Sequence, residues 1–433
     1  MNSAHRAARA SGPAPAAAYE RWTRACAAAG WERGQAAERV PLREALGRVS
    51  AEPVRARWPV PVAACAAMDG IAIRAGAAGP EPDGTWLVPP GGYAWVDTGD
   101  PVPDGLDTVV ERERVRLAAD GTAHVTGRAP AGQHVRASGE DLAAGRLIAA
   151  AGQRLRTADI AAAAATGHAA LAVARRPAVA IIPTGNEIRP LGVRPEPGQA
   201  IDSNSVMLAL RTEQAGGLAE VSGVQPDDPV VLAAEIAGRA AAADLVLVIA
   251  GSSAGRRDHT AAVLAEVGGL AVRGVAVRPG HPVLLGHARR PGGGARPGTA
   301  VPVVGVPGYP LAAAVIFELF AVPMLAALQG AGDQDRDGSP AVLASDWSSA
   351  PGVEDWVPVV LARADAGQAG GCGLIATPSR RGAGSISPLL AAGAWWPIPA
   401  GRTRFERGDR IEVLPMPAGP PAGGPPAGSP PAH

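Results

Sequence analysis

Apolar residues along this chain fall into two rhythms. Short unbroken runs, AVAII at 178–182, VLVIA at 246–250 and VPVVGV at 301–306, have the length and composition of strands buried on both faces. Between them, helical spacing occupies Ser203–Ala215, Asp228–Ala242, the stretch after Asp258 and the segment that runs to Leu328, with a short strand near Ala219. Strand and helix thus alternate from about Pro177 to Gln329, which predicts a mostly parallel sheet covered by helices on both faces.

Outside that region the rhythm changes. A helical pattern runs from Ala16 to Arg48 through Tyr19, Trp22, Cys26 and Trp31. Between about Asp83 and Arg136, β-like runs such as TWLVP, YAWVD and TAHVTG alternate with Gly, Pro and Asp turns, the mark of a small all-β unit. Helix returns at Asp159–Thr166, so the β unit reads as an insertion. From Ala341 to Leu414 short alternating runs predict a final β domain.

The chain therefore divides into residues 16–82 with 137–176 as a discontinuous, helical and mixed N-terminal domain, 83–136 as the inserted β domain, 177–329 as the α/β domain and 340–415 as the C-terminal β domain. A length of 433 residues suits several cores. Residues 1–15 and 416–433 are low-complexity and read as disordered tails, and Arg289–Thr299 as a mobile loop.

Composition removes several function classes. Net charge is +0, so nothing global draws the chain to nucleic acid or membrane. No apolar run reads as a membrane span and the N-terminus lacks a signal-peptide core, so the expectation is cytoplasmic. The three cysteines, Cys26, Cys65 and Cys372, have no disulfide or zinc spacing. All 40 basic residues are arginine, which excludes a P-loop and any Schiff base.

Chemistry concentrates at the ends of the three apolar runs. Each ends in Gly, Pro, Ser or Thr where a ligand crevice forms in an open α/β sheet: IPTGNE at 182–187, AGSSAGRRDHT at 250–260 and VPGYP at 306–310. The Gly/Ser turn of the second brings N–H groups and hydroxyls up to an anion at a helix N-terminus, or serves the turn alone.

These junctions belong to a wider set of signatures: AMDGIAIR at 67–74, DTGDPVPDGLDTVV at 97–110, GEDLAAG at 139–145, DSNS at 202–205, PDDP at 226–229 and RPGHP at 278–282. With them the chain, from about Tyr19 to Leu414, resembles the molybdopterin molybdenumtransferases, whose eukaryotic relative is the gephyrin E domain. The resemblance implies an α/β plus β multidomain fold: a central MogA-like three-layer α/β domain with a mostly parallel sheet, an inserted small β domain, a mixed N-terminal domain and a C-terminal β-barrel-like domain. It also implies an L-shaped homodimer, with a site between the α/β domain of one subunit and the inserted domains of the other.

The implied reaction inserts molybdate into adenylylated molybdopterin and releases AMP. Gly251, Ser252, Ser253 and Gly255, with Thr184 and Gly185, would cradle a phosphate or the pterin tail. Carboxylates beside an anionic ligand repel it unless a cation bridges them, so Glu187, Asp227 and Asp258 are candidate ligands for Mg2+, which would polarise the breaking P–O bond. Each could equally be a helix cap or a solvated turn acid.

Asp69 and Asp141 would approach from the other domains, and Thr98 either reaches the neighbouring subunit's ligand or serves its turn. Arg136 with Asp141 is either an ion pair or an anion clamp. Pro307, Gly308, Tyr309 and Pro310 form a stiff loop that could present backbone groups to the ligand. His259 and His281 lie near the expected site. A contact with the upstream molybdopterin adenylyltransferase also follows from the resemblance.

Two departures stand out. AGSSAG and PGYP stand where most members have GGxSxG and PGNP. RPGHP stands where the family has KPGKP, so Arg278 keeps a permanent charge while His281 keeps one only in part at neutral pH. A non-catalytic or weakly catalytic paralogue that binds molybdopterin or its metal-loaded form is the alternative function. Resemblance of the α/β domain alone would instead suggest an adenylyltransferase or a nucleotide-pyrophosphate hydrolase, against which AMDGIAIR and DTGDPVP count.

Overall fold

The computed structural model describes residues 12–34, 36–76, 85–250, 254–291, 298–332, 338–363, 373–379 and 382–416, with 254–258 described by backbone alone. Gly251, Ser252 and Ser253 lie outside the described residues, as do most of both tails and the tip of the Arg289–Thr299 loop. The chain forms two compact units, one of residues 1–36 with 175–433, the other of residues 37–174.

In the first unit the sheet is built from β1 (Ala178–Pro183), β2 (Leu218–Val221), β3 (Leu245–Ala250), β4 (Gly268–Arg273), β5 (Leu284–Arg289) and β6 (Ala300–Pro307). Their order is β2-β1-β3-β6-β5-β4. The first four run parallel, whereas β5 is antiparallel to β6 and β4 to β5. The sequence reading misses β4 and β5, because glycines in GGLAVR and LLGHAR break the apolar run that marks a buried strand.

Helices cover both faces. α1 (Pro15–Ala28), α2 (Ser203–Gln214) and the long helix α5 (Pro310–Leu328) share one core with Ile181, Leu247 and Val304. α3 (Pro229–Ala240) and α4 (Ala254–Val267) share the other with Ile182, Val246 and Val248. Alternate residues of a strand point to opposite faces, so a run apolar at every position fills both cores.

The sequence reading carries the first helix to Arg48 and groups it with the discontinuous domain. It ends instead at Ala28, followed by Gly30 at φ 92°, and a strand forms at Ala37–Pro41. Its buried Ala18, Trp22 and Cys26, spaced four apart, face the α/β sheet, and Trp22 Nε1 donates to Gly286 O at 2.7 Å. Part of the expected N-terminal tail is ordered too, since Pro13 O accepts from Ala276 N at 2.9 Å.

α5 corrects another expectation. At 19 residues it is long and apolar enough to cross a membrane by composition, yet most of it is buried inside the unit, as a core helix is. A π-helical turn at Phe317–Ala321 precedes Pro323, which lacks the N–H that a regular helix would need there.

The C-terminal strands Ser339–Leu343, Glu354–Arg363, Leu374–Pro378, Ala394–Ile398 and Arg410–Pro415 close into a barrel around Val357, Val359, Trp396, Ile411 and Val413. The two-residue strand Val277–Arg278 pairs in parallel with the barrel strand, placing Arg278 opposite Asp355.

In the second unit, Ala37–Pro41 pairs with Ala170–Ala174 and Val54–Arg55 with Leu147–Ala149, beside the helix Thr157–Ala165. The small β unit has two three-stranded sheets. Gly70–Ile73, placed before the insertion by the sequence reading, is the central strand of one, between Tyr93–Val96 and Thr108–Glu111.

Candidate active site

Three adjacent parallel strands end together at one edge of the α/β domain, and their connections carry most of the predicted residues. Thr184 closes β1 onto β3: its N–H and its hydroxyl both donate to Ile249 O, each at 3.0 Å. The hydroxyl proton is thus committed within the fold, and Thr184 offers a ligand only lone pairs. Gly185 follows at φ 139°, and a Cβ there would lie 2.9 Å from Glu187 Oε2 and 2.9 Å from Ile188 Cγ1. A side chain at position 185 would therefore displace the Glu187 carboxylate.

After β2, Asp228 Oδ1 accepts from Val230 N at 2.8 Å and Val231 N at 3.2 Å, making Asp228 the cap of α3. Asp227 is therefore not the cap, and its N–H instead donates to Asn186 Oδ1 at 3.3 Å. The TGNE and PDDP connections are joined through Asn186, a residue the sequence reading passes over. A small cavity of about 20 Å³ is lined by Thr184, Asp227, His259 and Thr260.

Beyond β3, Gly255 and Asp258 lie in the first turns of α4, whose N-terminus rises from the end of that strand. Among the described residues no three His, Cys, Asp or Glu side chains are grouped to hold a metal ion. Glu187, Asp227 and Asp258 nevertheless follow β1, β2 and β3, strands adjacent in the sheet, and carboxylate oxygen is the donor that magnesium takes.

The VPGYP loop is fixed from α2. Asn204 Nδ2 donates to Gly308 O at 2.8 Å, and Asp202 caps the helix by accepting from Ser205 N at 3.1 Å. The DSNS motif thus holds the loop after β6 beside the ends of β1 and β3. Its sequence signal lay in the motif, while the role needed the fold. Tyr309 precedes the first turn of α5 and is 48 % exposed; a Cβ on Gly384 would meet its ring at 3.3 Å.

Arg278, His281, Pro307 and Tyr309 line a second cavity of about 430 Å³, whose far wall comes from the barrel. Asp355, Trp356, Ser379 and Gly382 belong to that wall, and the sequence reading assigns none of them to a site. Among the described residues the Arg278 guanidinium makes no hydrogen bond or ion pair. The His281 ring is held by Nδ1 donating to Val275 O at 2.8 Å. Gly280 between them stands at φ 116°, and a Cβ there would lie 2.8 Å from Ile316 Cδ1 in α5.

In the second unit, Asp69 and Thr98 meet. Thr98 N and Oγ1 both donate to Asp69 Oδ1 at 2.7 Å. The hydroxyl bond and then the N–H bond hold the Asp69 carboxyl below the usual range, with the Arg112 charge adding to them. Arg136 does not pair with Asp141: its Nε donates to Glu140 Oε1 at 3.3 Å, while Asp141 N donates to Val60 O at 3.1 Å. The i, i+4 spacing of residues 136 and 140 was readable, but the turn at Ser138–Gly139 hid which acid would reach the arginine.

Comparison with known proteins tests the resemblance directly. The MoeA N-terminal region (domain I and II) matches residues 15–167, a probable molybdopterin binding domain matches 180–327, and the MoeA C-terminal region (domain IV) matches 340–416. Molybdopterin molybdenumtransferase 2 of Mycobacterium tuberculosis is 33 % identical over 348 residues, covering 74 % of this chain and 82 % of the relative. The chain belongs to the molybdopterin molybdenumtransferase family.

The molybdopterin molybdenumtransferase of a Nostoc species is also 33 % identical, over 68 % of this chain and 70 % of its own length. The solved molybdopterin biosynthesis MoeA protein of Pyrococcus horikoshii superposes with a TM-score of 0.73 at 28 % identity, over 93 % of this chain and 98 % of that one. The three-layer α/β domain with its closed C-terminal barrel is therefore the fold of this family.

Proposed function

We propose that the chain is a molybdopterin molybdenumtransferase, which inserts molybdate into adenylylated molybdopterin and releases AMP. The observation that carries the reading is one crevice edge: TGNE, PDDP and VPGYP lie at adjacent strand ends, and the cavity beside VPGYP holds the uncommitted Arg278.

Each group has a task in that reaction. The N-terminus of α4 suits the phosphates of the pterin nucleotide, because backbone N–H groups and the helix dipole favour an anion there. Arg278 suits molybdate, since a guanidinium offers paired N–H donors to an oxyanion. Glu187, Asp227 and Asp258 are the residues that would hold Mg2+; when bound, it offsets the phosphate charge and polarises the P–O bond to be broken. Tyr309 and Gly308 would border the pterin, their loop held by Asn204.

The paired Asp69 and Thr98 lie in the other unit and, in this proposal, reach the crevice from the partner of a homodimer. A gel-filtration mass of one chain under assay conditions would remove that part of the reading.

The test is reconstitution with adenylylated molybdopterin, Mg2+ and micromolar molybdate, following AMP. Molybdate-dependent AMP release, lost in Asp258→Ala, is expected. Tight pterin binding without AMP release, under molybdate and tungstate alike, would leave the cofactor-binding alternative.

A further inference from the structure

One exposed cluster borders the core of the small β unit. Ile71 on the central strand lies opposite Trp95 on one neighbour and Val110 on the other. Arg112 N donates to Asp69 O at 3.0 Å, continuing that pairing by one step. Cross-strand partners share a face, so Ile71, Trp95 and Val110 lie on the same one, and Asp69 and Arg112 stand just beyond the strand ends. Ile71 and Val110 are fully buried, yet Trp95 at their level is 47 % exposed.

Arg112 completes the arrangement. Its guanidinium carbon lies 5.5 Å from the centroid of the Trp95 ring, and its charge acts on Asp69. Among the described residues that guanidinium makes no hydrogen bond or ion pair, so its N–H donors remain open to a ligand. Trp95 keeps that exposure although the cation lies over its ring and the Tyr93 ring packs edge-on against it at 6.5 Å between centroids. A flat apolar ring, an adjacent cation with open donors and a hydroxyl-bound carboxylate stand together at one end of the sheet.

We propose that Trp95 and Arg112 form a binding face for a planar nitrogen heterocycle that carries a phosphate. The ring stacks on the indole and the phosphate oxygens take the donors of Arg112. The inference rests on the substrate class proposed above, whose two ends, adenylyl and pterin, share this chemistry.

The full-length protein is titrated calorimetrically with AMP and, separately, with a pterin phosphate lacking the adenylyl group. Trp95→Ala is expected to weaken one of them about ten-fold, with Trp95→Phe recovering part of the loss. Arg112→Gln is expected to weaken the phosphorylated ligand and leave the unphosphorylated nucleoside or pterin unchanged. Loss confined to AMP assigns the adenylyl end, and loss confined to the pterin phosphate assigns the other.

Affinities of Trp95→Phe and Trp95→Ala within two-fold of the parent for both probes would overturn the site, as would binding of neither probe to the parent. If the parent releases no AMP in reconstitution but binds AMP through Trp95, the transferase reading fails and this site stands. If it does release AMP, and Trp95→Ala leaves the KM for the adenylylated substrate unchanged, this site alone fails.

Discussion

Thr98 gives both of its donors, N–H and Oγ1–H, to a single oxygen of Asp69. Those bonds favour the ionised form, so the carboxyl titrates below its ordinary value of 3.8. A carboxyl depressed on folding contributes stability that is complete above its unfolded pKa and is lost as pH falls through the folded one. The contribution is therefore full at neutral pH and fades only below about pH 4. In Thr98→Val the hydroxyl bond is gone and the N–H bond remains, and the Asp69 midpoint should rise. A carboxyl NMR titration checks this, and an unmoved midpoint would show that the hydroxyl does not set it.

Asn204 has a different duty, because its amide is the tie between α2 and the loop after β6. Asn204→Ala should cost about 1–3 kcal/mol in urea unfolding, the usual cost of leaving a shielded carbonyl without its donor. The larger effect should fall on affinity for the pterin nucleotide through the freed Gly308–Tyr309 segment. Stability loss with unaltered affinity would make the tie merely structural.

Gly280 carries two constraints at once, a left-handed backbone and the close approach of Ile316. Gly280→Ala should lower stability by about 1–3 kcal/mol and weaken tungstate binding more than Gly352→Ala, at a positive-φ glycine with open space around it. Parallel melting curves and equilibrium dialysis make the comparison. Equal effects at the two sites would mean that backbone strain alone matters.

Arg211 and Glu318 form an ion pair between α2 and α5 with both side chains largely buried, and the Arg211 guanidinium also lies 5.8 Å from the Phe317 ring centroid. Glu318→Ala leaves a shielded cation without its carboxylate and should cost about 3–5 kcal/mol. The double variant Arg211→Met with Glu318→Leu should cost much less. Chemical denaturation distinguishes them, and a double variant worse than both singles would contradict the desolvation argument.

How legible this was in the sequence varies with the distance over which each signal acts. Strands β1, β3 and β6 announce themselves locally, since being apolar at every position has few explanations over six residues. The pairing of Asp69 with Thr98 could be suspected from two motifs but not fixed, because only the register of Gly70–Ile73 against Tyr93–Val96 brings them together. Arg211 and Glu318 left no trace, as neither sits in a motif. The barrel wall of the Arg278 cavity was equally silent: Ser379 and Trp356 look like ordinary β-domain residues until Val277–Arg278 joins their sheet.

That short pairing also constrains how the segment between β4 and β5 can vary in length. Val277 and Arg278 pair along the barrel strand, while Ala276 donates its N–H to Pro13 O and its carbonyl accepts from Glu354 N. A strand shifted by one residue turns every side chain to its opposite face. A single insertion or deletion between Ala276 and Arg278 should therefore turn the arginine away from its cavity. The segment should therefore accept an exchange of side chain, such as arginine or histidine for lysine, far more readily than a change in its spacing.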